Sequence, residues 1–444
     1  MPSKVNITAW RRPVFVLLAV AVGPAVAQDD GGLNANLALS QGITSSSDDG
    51  TFGQTNLGFA LSSQTRSQTL DFRTGLGLEQ RFDGGADIEI DEPTLRLSYG
   101  TTSRQSALAL GLTYNRADAD SFVELSDDEP GILVLDEGKR ETVGASLDYT
   151  FGREALFGGT FGVNYNSLSY FDTTDPELVD RDRVQANLTL RFEITPRIAA
   201  TLGYDYSDTD RDGTGQDESS NRFRIGTDLL VSDTLTAGFS IGQRELTKTN
   251  DGVTTQTESL TYAIDLRQDR PNGALTLALN SDLTEAGRRT NLRAGTSFET
   301  RRGGEFAARA GLSQGNDGDI NPLYELRYSE DLLRSDYSAS LQQNFASNSQ
   351  GAEVLNSRLQ LGYNYELGAN TQFVSSVSYQ TTDVLGSDSD TSRFDLRLGV
   401  SHALTETVAL TSQYTYSRKS EDGQSGETDN RIFLGLETNF GWRP

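Results

Sequence analysis

Apolar residues recur at every second position along almost the whole chain, and that period of two decides what it can fold into. Leu108, Leu110, Leu112 and Tyr114 form one such set, and Val143, Ala145, Leu147, Tyr149 and Phe151 the next. The rhythm returns at Val184–Ile194, Phe394–Val400 and Ile432–Phe440. Successive side chains of a strand point to opposite faces, so each stretch has one apolar and one polar face. Helical i, i+3, i+4 spacing is missing after the first 27 residues.

The two faces differ in charge as well as hydropathy. Between its first and last aliphatic or aromatic residue, the apolar face of each stretch carries no charge. The opposite face holds Asp71, Arg73, Glu79, Arg96, Asp148, Arg191, Asp228, Asp265, Arg267, Arg309, Glu325, Arg327, Asp395 and Glu437. It also holds Arg222, Arg224, Arg293, Arg358 and Arg397. A soluble sandwich turns its polar face to water, where Lys and Glu are favoured. Here lysine is nearly missing: after Lys4 only Lys139, Lys248 and Lys419 remain, each expected in a loop. Arginine beside Asp or Glu suits a crowded, hydrated interior. A charge facing lipid costs about 2–4 kcal/mol at the bilayer midplane, so a charge-free outer band marks a membrane barrel.

Composition agrees. With 35% hydrophobic residues in 444, the chain falls below the roughly 45–50% of globular proteins, a figure that also counts glycine. Its 16 Tyr, 20 Phe and 44 Gly are too many for an acidic disordered chain. The absence of cysteine excludes a disulfide scaffold, thiolate metal sites and a cysteine nucleophile. Lys4, Arg11 and Arg12, the apolar run Val14–Val22 and the sequence Ala25-Val26-Ala27 form a secretory signal peptide over 1–27, cleaved after Ala27. The apolar run is too short to span a bilayer as a helix. Cleavage takes the net charge from −25 to −28, which disfavours nucleic acid as a partner.

Counting the alternating stretches predicts an all-β chain over 28–444: a transmembrane antiparallel up-and-down β-barrel of 22 strands. Connections after odd strands are often long and acidic, and those after even strands short, as at Thr195-Pro196-Arg197 and Ser232-Asp233-Thr234. Aromatics gather at strand ends as interfacial girdles do: Tyr114, Tyr204, Tyr206, Tyr414 and Tyr416 at one end, Tyr149, Phe151, Phe192, Tyr363, Tyr365 and Phe440 at the other. Known 22-stranded transporters fill their lumen with a plug. Gln28–Gly32 leaves no room for one before the first strand, so no plug domain is expected.

In these respects the chain resembles a Gram-negative outer-membrane β-barrel of the porin-like kind, over its whole mature length and without a motif specific to one family. The resemblance implies an outer-membrane location and contact with outer-membrane lipid and lipopolysaccharide. It also implies recognition of the C-terminal strand by the barrel-insertion machinery, and passage of small hydrophilic solutes. The terminal aromatic of that signal is Phe440 or Trp442, because Gly441-Trp442-Arg443-Pro444 follow the usual end point. A polymer export conduit and a non-conducting structural or adhesive barrel are the alternatives.

The longest connection, Arg116–Arg140, resembles in order, length and charge the porin loop that folds inward as an acidic constriction. It carries Asp127, Asp128 and Glu129. The wall arginines Arg222, Arg224, Arg293, Arg358 and Arg397, with Arg393 and Arg431, would face it across the pore, although structural ion pairing is their commoner role. No cofactor, metal or enzyme chemistry is expected. His402 is the sole histidine, at the periplasmic level of its strand with no second histidine. Asp208, Asp210, Asp212 and Gly213 open like a calcium loop, but Ser219 stands where an EF-hand needs Glu.

Overall fold

The computed structural model describes residues 32–442 except position 49 and 83–87, 120–137, 174–177, 213–215, 251, 317, 348–352, 386–389 and 422–425. It contains 22 strands. The first eight are β1 (Leu33–Ser46), β2 (Gly50–Gln64), β3 (Gln68–Arg81), β4 (Ile88–Thr102), β5 (Ser106–Asp118), β6 (Lys139–Phe151), β7 (Phe157–Phe171) and β8 (Arg181–Thr195). Then come β9 (Ile198–Arg211), β10 (Gln216–Ser232), β11 (Leu235–Asn250), β12 (Val253–Arg270), β13 (Gly273–Thr284), β14 (Gly287–Glu299), β15 (Glu305–Gln314) and β16 (Ile320–Asp331). The last are β17 (Ser335–Ser347), β18 (Glu353–Gly368), β19 (Thr371–Val384), β20 (Asp390–Ala403), β21 (Val408–Glu421) and β22 (Thr428–Trp442).

Each strand pairs antiparallel with the next, and β1 pairs with β22 from Ala35↔Trp442 to Ser46↔Arg431, which closes the barrel. Among the described residues no helix is long and apolar enough to cross a membrane. The strands span 10 to 18 residues. A bilayer needs only about 9–11 tilted residues, so most strands project beyond it.

Local chemistry sets the two ends. At the end where even strands hand over to odd ones, the turn end, each of several turns begins with a hydroxyl residue that accepts backbone N–H bonds. Ser232 Oγ accepts from Thr234 and Leu235, Thr405 Oγ1 from Thr407 and Val408, and Ser103 Oγ from Ser106. Such turns close a hairpin without long loops. Turn-end girdle rings touch across strands, with Phe157 and Phe192 centroids 4.9 Å apart and Tyr337 and Tyr363 also 4.9 Å apart. At the opposite, loop end, girdle tyrosines tie their hydroxyls to acceptors on the next strand. Tyr114 donates to Glu141 at 2.9 Å, Tyr165 to Asp182 at 3.0 Å and Tyr414 to Asn430 at 2.8 Å.

The burial pattern is inside-out. Leu434 is 55% exposed and Ile225 52%, whereas Arg289 is 6% exposed. Apolar side chains look outward and ionic ones inward, as a lipid surround demands. At the closing seam the Phe433 ring lies inward over two glycines. A Cβ on Gly42 would sit 2.6 Å from that ring and 2.4 Å from the Leu434 carbonyl. Asp429 pins the same seam by accepting the hydroxyls of Ser46 and Ser47, each at 2.9 Å. Trp442 belongs to β22, and its ring centroid lies 6.2 Å from that of Phe59.

Two expectations are corrected. Lys139, Lys248 and Lys419 stand on β6, β11 and β21 rather than in loops, because the strands run past the apolar band. Asp208 and Asp210 likewise lie on β9, in register with Ser219 and Asp217 of β10, and not in a loop.

Candidate functional site

Among the described residues, charged side chains are concentrated away from bulk solvent in the lumen, which divides into two regions. One is an open chamber of about 1860 Å³. At the loop end it is lined by Asp48, Asp118, Arg140, Lys419, Asp429 and Arg431, from β1–β2, β5–β6 and β21–β22. At mid-height it meets Ser376, Ser378, Arg393, Asp395 and Arg397, and at the turn end Ser297, Glu299, Glu305 and Arg327. One cavity therefore reaches residues at both ends of the strands. Its wall is rich in serine, and its acids outnumber its bases. Glu92 is directed into it from a β4 irregularity, at a left-handed φ of 41° and immediately before Pro93. Arg393 is fastened to Asp395 through Nε at 2.9 and 3.1 Å, which fixes one guanidinium on the wall.

The other region is packed with ion pairs. Arg211 of β9 grips Glu285, in the β13–β14 connection, with two bonds of 3.0 Å, and Lys248 of β11 donates to the Glu285 carbonyl. Arg222 of β10 bridges Asp205 at 3.0 Å and Asp282 of β13 at 2.8 Å. Arg224 reaches Asp205 at 3.5 Å, and Arg244 bonds Ser220 at 2.7 Å and Asp282 at 3.3 Å. Further round, Arg289 of β14 clasps the Glu353 carboxylate with Nε and Nη2, bonds Ser313 at 2.8 Å and lies 3.6 Å from the centroid of Phe345.

These contacts fix a shape. β9 and β13 stand four strands apart, about 19 Å along a wall spaced at roughly 4.8 Å per strand. Contacts of 3.0 Å between Arg211 and Glu285 require the β13–β14 tip to fold into the lumen against the inner faces of β9–β11. Arg289 and Glu353 span the same four-strand interval. Pairing confirms the fold-in. β12 pairs with β13 only from Tyr262↔Ser281 to the turn end, and β16 with β17 only from Glu325↔Gln342, though all four strands continue toward the loop end.

The sequence-predicted residues are thus shared between the regions. Arg397 lines the chamber, with Arg393 and Arg431. Arg222 and Arg224 are committed to Asp205 and Asp282. Arg358 is 4% exposed, in register with the buried Gln380. Arg293 lines a small pocket with Arg309, Glu325 and Gln343. Asp127, Asp128 and Glu129 lie outside the described residues. Sequence reasoning missed Arg211, Arg244, Arg289, Glu285 and Glu353. No local sequence signal singles them out: the two-residue β13–β14 connection is matched by the equally short β11–β12 connection. His402 bonds Thr371 through Nδ1 at 2.8 Å. Among the described residues no group of three His, Cys, Asp or Glu is arranged to hold a metal.

No protein-family model and no curated protein matches the chain. Solved structures do. The FrpB iron transporter from Neisseria meningitidis superposes with a TM-score of 0.57 at 10% identity, over 93% of this chain and 83% of that one. The ferric-catecholate import receptor Fiu from E. coli K12 gives 0.57 at 9%, over 93% and 82%. A ferric enterobactin receptor from Pseudomonas aeruginosa, in complex with enterobactin, gives 0.53 at 9%, over 93% and 82%. The chain has the fold of a Gram-negative outer-membrane β-barrel. At these identities the likeness establishes that fold, and the lumen has to be read from its own residues.

Proposed function

We propose that this barrel is an outer-membrane channel through which small hydrophilic solutes diffuse, passively or with selectivity, and that it carries out no enzyme chemistry. The chain would reach that membrane through the signal peptide over 1–27 and insertion machinery reading β22, and lipopolysaccharide would surround its loop-end girdle. The observation that carries the reading is the polar chamber of about 1860 Å³ with lining residues at both ends of the strands. A wall of serine, glutamine and paired charges presents water-like partners to a solute. The solved neighbours are named for iron and ferric chelates, which supports transport as the general class. What favours diffusion here is the polar chamber, lined by residues at both ends of the strands.

Acids outnumber bases along the chamber, so the pore favours cations weakly. Purified barrel inserted into planar bilayers should give discrete conductance steps and a reversal potential on the cation-selective side. A folded barrel that never conducts would overturn the channel reading in favour of a structural or adhesive role. Steps blocked by a threaded polysaccharide, with no flux of small sugars into liposomes, would favour an export conduit instead.

A further inference from the structure

The two split seams and the ion pairs beside them belong together. At the turn end β13 and β16 are zipped to their neighbours, through Leu266↔Leu277 on one side and Arg327↔Ser340 on the other. Toward the loop end both seams are parted, and the four strands between them lean into the lumen. We propose that β13–β16 is a hinged panel of barrel wall that narrows the loop-end half of the lumen, held in its inward position by the Arg211–Glu285 and Arg289–Glu353 latches. The proposal rests on the channel reading above only for what the movement does; the movement itself stands on the pairing geometry.

Three observations fit a wall with two positions. First, the parted edge is capped by side chains in place of ladder bonds: Arg288 of β14 donates to the Leu260 carbonyl of β12 at 2.5 Å. If the seam zipped in its existing register, Thr261 would meet Asp282 and Ser259 would meet Thr284, so ladder bonds would replace what the latches supply. Second, the inward position leaves buried acceptors unmatched beside the second seam. The side-chain oxygens of Gln343 and Asn344 have no hydrogen-bond partner. Gln343 and Asn344 line the small pocket between the parted strands. Groups of that kind gain water or new partners when the panel swings outward, so the inward position is not overwhelmingly favoured. Third, Pro322 faces β17 where Phe345 would pair, and it has no N–H to donate, so this seam cannot zip completely. The panel therefore swings from its fully paired turn end, with the latches rather than the ladder holding the inward position.

The chain contains no cysteine, so an engineered pair reports without background. Ser259→Cys with Thr284→Cys places thiols that meet only when the β12–β13 seam zips. The protein is refolded into detergent and then into bilayers, and the unheated barrel's gel mobility confirms folding. Copper-phenanthroline should form the disulfide slowly when the latches are intact. With Arg289→Gln and Glu353→Gln added, formation should be at least tenfold faster. The oxidised barrel should show at least twofold larger conductance steps, reversed by reductant. Arg289→Lys, which keeps the charge but not the two-pronged bond, should give an intermediate crosslinking rate. A folded double-cysteine barrel that never crosslinks in either background overturns the moving panel. Crosslinking with unchanged conductance steps overturns its role as a gate. A barrel that crosslinks yet conducts in no state removes the channel reading and leaves the movement standing.

Discussion

The packed and open halves of the lumen are made from the same alternating strands and both carry arginines and acids, yet one is filled and the other is not. Strand height separates them. On the packed side, β10, β11 and β12 have 17, 16 and 18 residues and stand beside β13, β14, β15 and β16 with 12, 13, 10 and 12. A short hairpin beside a tall wall has no partner for its neighbour's upper edge, so it tilts inward until side chains satisfy it. On the open side, β19 to β22 and β1 to β2 have 14 or 15 residues and pair over nearly their whole length. That wall stays upright and the lumen beneath it stays clear. Charge content did not choose between the outcomes; the step in strand length did.

This contrast can be broken at its strongest point first. The open half depends on the β1–β22 closure, where a side chain on Gly42 would collide with backbone as well as with Phe433. Gly42→Val should abolish the folded barrel, seen as loss of the heat-sensitive gel shift. A normally folded variant would mean that the seam tolerates a different register. Next in size is the paired comparison of two arginines. Arg211→Met removes the buried guanidinium that clamps the part-buried Glu285 carboxylate and should cost roughly 3–5 kcal/mol in urea unfolding. Arg397→Gln, on the chamber wall, should cost within about 0.5 kcal/mol while increasing cation preference. Equal costs would erase the distinction between the halves. The smallest effect is expected from neutralising Asp127, Asp128 and Glu129 together, which should lower cation preference without changing stability. An unchanged ion preference would take that connection out of the pore.

Much of the fold was legible. Period-two alternation gave every strand, charge segregation gave the outer face, and short connections after even strands marked the turn end. The register of Phe440 and Trp442 on the outward face of β22 was implied by Ile432, Leu434 and Leu436. What misled was the assumption that a strand ends with its apolar band. Lys248 and Asp208 looked like loop residues because they lie beyond the last lipid-facing side chain, but backbone pairing continues well past the membrane. The lumen residues were legible as a class and not as a site. Arg222 and Arg397 have the same sequence context, an arginine on the polar face of an even strand. One is spent on Asp205 and Asp282 and the other faces open space.

The sequence by itself therefore determined the barrel, its strand number and which side of every strand meets lipid, because each of those follows from local periodicity and the cost of charge in hydrocarbon. Only the tertiary structure decided where the lumen is filled. That depends on contacts such as Arg211 with Glu285 and Arg289 with Glu353, between residues 74 and 64 positions apart. These contacts arise when neighbouring strands of unequal height leave backbone edges unpaired, a relation between strands that no single strand's pattern contains.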